Sequence, residues 1–437
     1  MKKSLIRALI LLLVLVFIGN TSVFGAINNK YSNQILPSSN LSRTLDGAMT
    51  LDFSTEIIMY SNNVNKSHPI DGGLARLMSV YTAYNAIRND ASKKYDITEY
   101  ELEELCVRMI YNNDAGGAAK EMAARVAGGE GNFTQLMNQT AASLKMTATV
   151  YKNCTGKRED GQVSTIYDQI LLLNECYDAE FIRKILKGSV YFIEDSLSYS
   201  RNVELMDETN TKYYDKRVTH YLTSDYSSEG YFMFTASNVN QTNATGRVVI
   251  TCMYQSGASD YYAGMLDTRI LNNNSFGDYY WVTLVDLAKD VCQKTPFKLP
   301  DGKLAYCAIE LKGNETGITT ISRDYFEKLQ ENHSQCTITL SSNQSDVAVK
   351  PGELLGLGEL YFQNDLLLSF DLRVVRIVSD DGKMISSDYS LYEPENYLEQ
   401  IDDQYDALEF IPYSILVIVF AFAAIAAARY VRQKWMI

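Results

Sequence analysis

The sequence predicts a mixed α/β chain of the α+β kind: a helix-and-sheet domain, then a small all-β domain, then a membrane helix. Three observations carry this. Apolar residues recur at helical spacing between Leu74 and Leu186, and β-branched and aromatic runs take over near 218–256 and again over 303–378. Third, one long apolar stretch, Phe410 to Ala428, lies near the C-terminal end.

The elements follow in order. Residues 1–26 read as a secretory signal: Lys2, Lys3 and Arg7 form the charged start, Ala8 to Ile18 is apolar, and Gly25-Ala26 suits cleavage. An uncleaved N-terminal anchor is the alternative. Met49 to Tyr60 reads as strand, turn, strand. Asp71-Gly72-Gly73 opens a helix carrying Leu74, Leu77, Met78 and Tyr81, and a second helix carries Leu102, Leu105, Cys106, Met109 and Ile110. It ends at Tyr111-Asn112-Asn113-Asp114. An Ala-rich helix is expected over 115–127, another from Asn132 with Phe133, Leu136, Met137, Ala141 and Leu144 on one face, and a fifth from about Thr165 to Leu186.

Strands are expected at Gly230 to Ala236 and Arg247 to Tyr254, and a helix over 276–292. Pro296 and Pro300-Asp301-Gly302 mark a boundary, so the domains are expected at 27–295 and 296–378, the latter all β. Residues 379–409 form an acidic stalk. Phe410 to Ala428 would span roughly 27–29 Å as a helix, enough for a bilayer core of about 30 Å. Arg429, Arg432 and Lys434 follow it, so the tail 429–437 is expected in the cytoplasm and the bulk outside a single-pass, bacterial cell-membrane protein.

Composition excludes some functions. The chain has 437 residues, with 40 Lys+Arg against 53 Asp+Glu and a net charge of −13. That balance removes the electrostatic basis for nucleic-acid binding. The seven cysteines lack C-x-x-C spacing and are expected mainly as buried thiols, with no zinc site. His68, His220 and His333 are too dispersed to suggest a metal site and are expected at the surface or at caps. Gly128-Gly129-Glu130-Gly131 is a turn, not a phosphate cradle, and no H-E-x-x-H, G-x-S-x-G or dinucleotide motif occurs. No cofactor is implied.

One set of landmarks goes further. Tyr111-Asn112-Asn113-Asp114-Ala115, Phe133 to Asn138, Leu144 to Thr149, Asn153-Cys154-Thr155-Gly156 and Ser164 to Asp168 stand in order. They resemble the run S-x-N-D-A, F-x-x-x-M-N, L-G-M-x-x-T, N-P-T-G and S-T-A-x-D of the serine D-alanyl-D-alanine carboxypeptidases, the low-molecular-mass penicillin-binding proteins (peptidase S11 type). Val349 to Val378 is similar to that family's C-terminal β domain. The resemblance covers about residues 45–378. It implies a β-lactamase-like domain, with an antiparallel sheet flanked by helices, acting on peptidoglycan peptides.

The family works through S-x-x-K, S-x-N and K-T-G. Matched position by position, Gly72 to Ser79 falls on A-S-x-T-K-L-M-T, so Gly73 stands at the nucleophile and Arg76 at the base. Glycine has no attacking atom, and arginine does not release its proton near neutral pH. Tyr111 replaces the second-motif serine while Asn113 remains, and Leu222, Thr223 and Ser224 fall on K-T-G. No catalytic motif is intact; Asn113 and Thr223 are the residues left to bind a ligand. No serine has a lysine three residues on, and Ser79 falls on a structural threonine position. The reading is a non-catalytic, membrane-anchored cell-wall-binding or scaffold homologue, with peptidoglycan peptide or an envelope protein as partner. The alternative is an active carboxypeptidase using other residues.

Overall fold

The computed structural model describes residues 40–89, 95–194, 197–227, 229–239, 246–257, 261–311, 317–343, 349–379, 382–387 and 399–400. The expected signal (1–26), membrane span (410–428) and tail (429–437) lie outside the described residues. Among the described helices none is long and apolar enough to cross a membrane.

The chain opens with the expected hairpin, β1 (Leu45–Asp52) and β2 (Ile58–Asn62), then the short β3 (His68–Pro69). Four helices follow: α1 (Gly72–Asn89), α2 (Glu99–Ile110), α3 (Ala115–Ala127) and α4 (Glu130–Ser143). Their ends have local causes. The Thr98 hydroxyl accepts from the Glu101 amide while the Glu101 carboxylate accepts from the Thr98 amide, a capping box that starts α2. Gly128, at φ +73°, closes α3 in the left-handed conformation that glycine adopts without a Cβ clash.

After β4 (Val163–Ser164), the single helix expected over 165–186 is two: α5 (Ile166–Asp178) and α6 (Glu180–Leu186). Ala179 between them is extended, at φ −68° and ψ 103°. The apolar spacing runs on across this break, which is why spacing alone read one helix. Then come the hairpin β5 (Val190–Ile193) and β6 (Leu197–Ser200), and the strands β7 (Val218–Thr223), β8 (Gly230–Asn238) and β9 (Val248–Ser256). The first domain's sheet is antiparallel, ordered β2-β1-β9-β8-β7, so β7 is an edge.

Side-chain alternation along these strands builds two cores, one on each face. Phe232, Phe234, Ile250 and Cys252 pack under the α1–α6 helices, whereas Tyr231, Met233 and Met253 face Met265 and Leu271 of α7 (Ala263–Gly277). β8 is therefore buried along its full length.

The stretch 276–292, expected as helix, holds the end of α7, the strand β10 (Tyr279–Thr283) and the helix α8 (Val285–Lys294). The aromatic and β-branched run Tyr279-Tyr280-Trp281-Val282-Thr283 was the signal for strand. The remaining elements are β11 (Phe297–Lys298), β12 (Leu304–Glu310), β13 (Ile318–Ser322), α9 (Arg323–Glu331), β14 (Cys336–Asn343), β15 (Leu354–Phe362), β16 (Asp365–Val378), β17 (Met384–Ser387) and β18 (Glu399–Gln400). The helix α9 interrupts the expected run of strands, capped by the Ser322 hydroxyl, which accepts from the Tyr325 amide. A β-rich sheet ordered β11-β12-β16-β15-β14, with β17 on β16, forms the C-terminal part. Leu287 and Val291 of α8 belong to its core.

Buried polar groups join the two parts. Asp52 accepts from Arg247 Nε at 2.9 Å and from Thr320 Oγ1 at 2.7 Å. Arg247, 1% exposed, donates to the carbonyls of Tyr279 and Ser275, each at 3.0 Å. All seven cysteines are buried and unpaired. His333 is exposed, its Nδ1 3.0 Å from the Gln330 carbonyl at the end of α9.

His68 and His220 are corrected from surface or cap positions to the interior. His68 stacks on Tyr254 with ring centroids 3.8 Å apart, and His220 sits on β7 edge-on to Tyr177 at 5.0 Å. Burial, aided by Lys187, Arg183 and Arg201, holds the His220 pKa down at about 3, and burial holds that of His68 at about 4. Each imidazole is thus neutral when folded, while the unfolded chain takes up protons near pH 6.5. The two histidines therefore contribute stability above about pH 6.5 that is lost as pH falls toward these folded values. Each imposes a slope of up to about 1.4 kcal/mol per pH unit. Urea unfolding followed from pH 7 to pH 4.5 should give a shallower loss of stability for His220→Phe than for the unaltered chain; equal slopes would contradict the assignment.

Candidate active-site cleft

The cleft side of the first domain is built where the N-terminus of α1, the loop 153–156 and the end of β7 converge. Glycines permit the approach. The Gly72 amide donates to the Gly156 carbonyl at 2.8 Å. A Cβ on Gly156, at φ +74°, would lie 2.6 Å from the Gly72 carbonyl oxygen and 2.9 Å from Arg76 Cγ. A Cβ on Gly72, at φ +57°, would lie 2.3 Å from the Asp225 nitrogen.

Gly73 is as tightly enclosed. A Cβ there would lie 2.5 Å from the Thr223 carbonyl oxygen and 2.9 Å from Leu222 Cδ1. Real Cβ atoms do not approach backbone oxygen that closely. The side chain missing at 73 is therefore replaced by the neighbouring strand, whose Leu222 is buried in the helical core. The gap is filled.

One turn on, Arg76 is 6% exposed and donates through Nε to the Met109 carbonyl at 2.8 Å and through Nη2 to Asn112 Oδ1 at 3.2 Å. Burial lowers its pKa, and the nearby Asp225 and Asp71 oppose that shift. Arginine nonetheless stays cationic in proteins. It supplies a fixed positive charge bridging α1 to the turn after α2, not a proton acceptor.

The other predicted residues do not converge on Gly73. Tyr111 is buried, its hydroxyl donating to the Lys187 carbonyl at 3.4 Å and its ring lying 4.7 Å from the Arg201 guanidinium. Burial raises its phenol pKa, against Arg201. Asn113 is exposed, and it is Asn112, left-handed at φ +57°, that meets Arg76. Ser224 accepts from the Phe232 amide at 2.8 Å through its hydroxyl, and its own amide donates to the Phe232 carbonyl at 3.0 Å. It extends the β7–β8 pairing rather than facing the cleft. Ser79 is fully buried and donates to the Cys154 carbonyl at 2.7 Å, so its hydroxyl braces α1 against the 153–156 loop.

Sequence reasoning missed an ionic clasp across the same mouth. Asp71, 3% exposed, accepts from the Asp225 amide at 3.0 Å and faces Arg158 Nη1 at 3.3 Å. Arg158 also donates to Ser227 Oγ at 2.9 Å and pairs with Glu229. Burial and the Asp225 charge push the Asp71 carboxyl pKa up, with Arg158 pulling it down. Asp71 precedes a helix and so carried a capping signal. Arg158 and Glu229, far from it in sequence, carried none.

These contacts fix the sign of one substitution. An ordinary helix gains up to about 1 kcal/mol from Gly→Ala. Gly73→Ala should instead destabilise by about 1–3 kcal/mol, the cost of overpacking. Gly116 of α3, where a Cβ meets nothing within 4 Å, is the control and should be neutral or stabilised on Gly116→Ala. Thermal unfolding of both variants checks this, and a stabilised Gly73→Ala would show that the contact is absent.

Comparison with known proteins agrees with the geometry of the fold. Penicillin binding protein 5 from Haemophilus influenzae is similar at 14% identity and TM-score 0.54, covering 77% of this chain and 98% of that one. Penicillin binding protein 6B from Escherichia coli is similar at 15% identity and TM-score 0.52, covering 79% and 99%. The D-alanyl-D-alanine carboxypeptidase DacD from Francisella tularensis is similar at 16% identity and TM-score 0.50, covering 82% and 99%. At such identities these likenesses show the fold alone. No curated protein is close enough in sequence to count as a match. Residues 91–251 match the sequence model of D-alanyl-D-alanine carboxypeptidase, peptidase S11. With helices, edge strand β7 and trailing β sheet arranged as in these structures, residues 91–251 place the first domain in the peptidase S11 D-alanyl-D-alanine carboxypeptidase family.

Proposed function

We propose that this chain is a non-catalytic member of its family: a membrane-anchored scaffold or cell-wall-binding protein of the bacterial envelope. One observation carries the reading. Gly73, at the position matched to the family's nucleophile, has the Thr223 carbonyl and the Leu222 side chain where a serine would project. Arg76, at the position matched to the general base, is committed to the Met109 carbonyl and Asn112. Leu222 stands where a lysine ammonium would receive a substrate carboxylate, and it offers only hydrocarbon.

The chemistry weighs the same way. In a well-studied serine protease, losing the nucleophile or its base alone costs on the order of 10⁶ in rate. Both are altered here. Peptide binding in this cleft is disfavoured too, because the Gly72–Gly156 backbone bond and the Asp225 amide bond to Asp71 tie its sides together. The envelope role rests instead on the fold and on the anchor expected at 410–428, with membrane, peptidoglycan or an envelope protein as its contacts.

The test is acylation. Incubated with a fluorescent penicillin beside a catalytic carboxypeptidase, this protein should remain unlabelled and should release no D-alanine from a muropeptide. A covalent adduct on any residue, or turnover above the background of a boiled sample, would restore the hydrolase reading.

A further inference from the structure

A pocket of about 380 Å³ lies at the other end of α1 from Gly73. Its apolar lining comes from Ala86 near the end of α1, Val126 and Ala127 in the last turn of α3, and Leu136 of α4. Its polar lining is Tyr95, Asn132, Gln135 and Gln139. Ala86 stands thirteen residues along α1 from Gly73, about 20 Å at the helical rise. The pocket is therefore separate from the cleft and from the clasp that shuts it.

The chemistry of the lining is specific. Among the described residues no acidic or basic side chain lines it, so they offer no counter-charge to a phosphate, a carboxylate or an ammonium. Gln135 and Gln139 are one turn apart on α4, so their amides stand side by side on one exposed face. Neither has a partner among the described residues. Each primary amide offers two donors and one acceptor, a match for hydroxyl and acetamido groups, which also both donate and accept. Asn132 gives its Nδ2 to the Ala127 carbonyl at 3.1 Å and so holds the rim between α3 and α4 in place. The tyrosine ring and the four apolar side chains provide the dry surface that the C–H face of a sugar ring and an acetamido methyl would cover. A volume near 380 Å³ falls in the ~300–1,000 Å³ range of small-molecule sites.

From this we infer that the pocket between α1, α3 and α4 binds an uncharged N-acetylated saccharide, held by Gln135 and Gln139 over an apolar floor. The site does not depend on the state of the cleft. It gives a protein with a shut peptide groove a separate way to hold a glycan.

Chitotetraose, a neutral N-acetylglucosamine oligomer, is the probe. Titrated calorimetrically into the full chain in detergent, it should bind saturably. The double variant Gln135→Ala/Gln139→Ala should weaken binding at least about tenfold, the loss of roughly one good hydrogen bond, with an unchanged melting temperature. Tyr95→Ala should weaken it independently. Absence of saturable binding at millimolar chitotetraose, or binding that these variants leave intact, overturns the assignment. A penicillin adduct would overturn the non-catalytic reading and leave this site untouched, so the two failures are distinguishable.

Discussion

The first domain depends on one steric constraint, the backbone-to-backbone approach of the α1 N-terminus to the edge strand β7. Gly72, Gly73 and Gly156 make it possible, because a Cβ on any of them would fall within 2.6 Å of a neighbouring backbone atom. Once the approach is made, the rest of the cleft follows. Leu222 drops into the helical core, Ser224 is absorbed into pairing with Phe232, and Arg76 reaches across to Met109 and Asn112. Gly73, Leu222 and Ser224 thus serve as the packing surface of a closed seam.

The clasp at the mouth is electrostatic and the seam beneath it is steric. Asp71 is buried, while Glu229 and Arg158 are more exposed, so the Arg158–Glu229 pair is screened and contributes little by itself. The Gly72–Gly156 backbone bond and the bond from the Asp225 amide to the buried Asp71 carboxylate bear more of the closure. The tightness of the seam follows from its residues: with glycine at 72, 73 and 156 and Leu222 turned into the helical core, this region packs like a core.

Much of this was legible in the sequence, and the failures have physical causes. Leu74, Leu77, Met78 and Tyr81 gave α1, and Leu102, Leu105, Cys106, Met109 and Ile110 gave α2, because apolar spacing repeats within a turn or two. The unbroken spacing over 165–186 hid the extended Ala179, and the helix expected over 276–292 ignored the strand signal of Tyr279–Thr283. At the site, the identities of Gly73, Arg76 and Leu222 were legible as departures from a motif. Their consequences were not. That Thr223 presses on Gly73, that Asn112 rather than Asn113 meets Arg76, and that Arg158 bridges Asp71 and Glu229 all require residues brought together only by the tertiary fold. The interior positions of His68 and His220 were missed because a histidine's burial depends on which strand face it occupies.

The most direct measurement is a crystal structure of the protein soaked with a saturating β-lactam. The account predicts the Thr223 carbonyl still against the Gly73 Cα, Arg76 still on the Met109 carbonyl, and no β-lactam density between α1 and β7. A drug molecule seated there with β7 displaced, or an acyl group on any hydroxyl lining the groove, would contradict it.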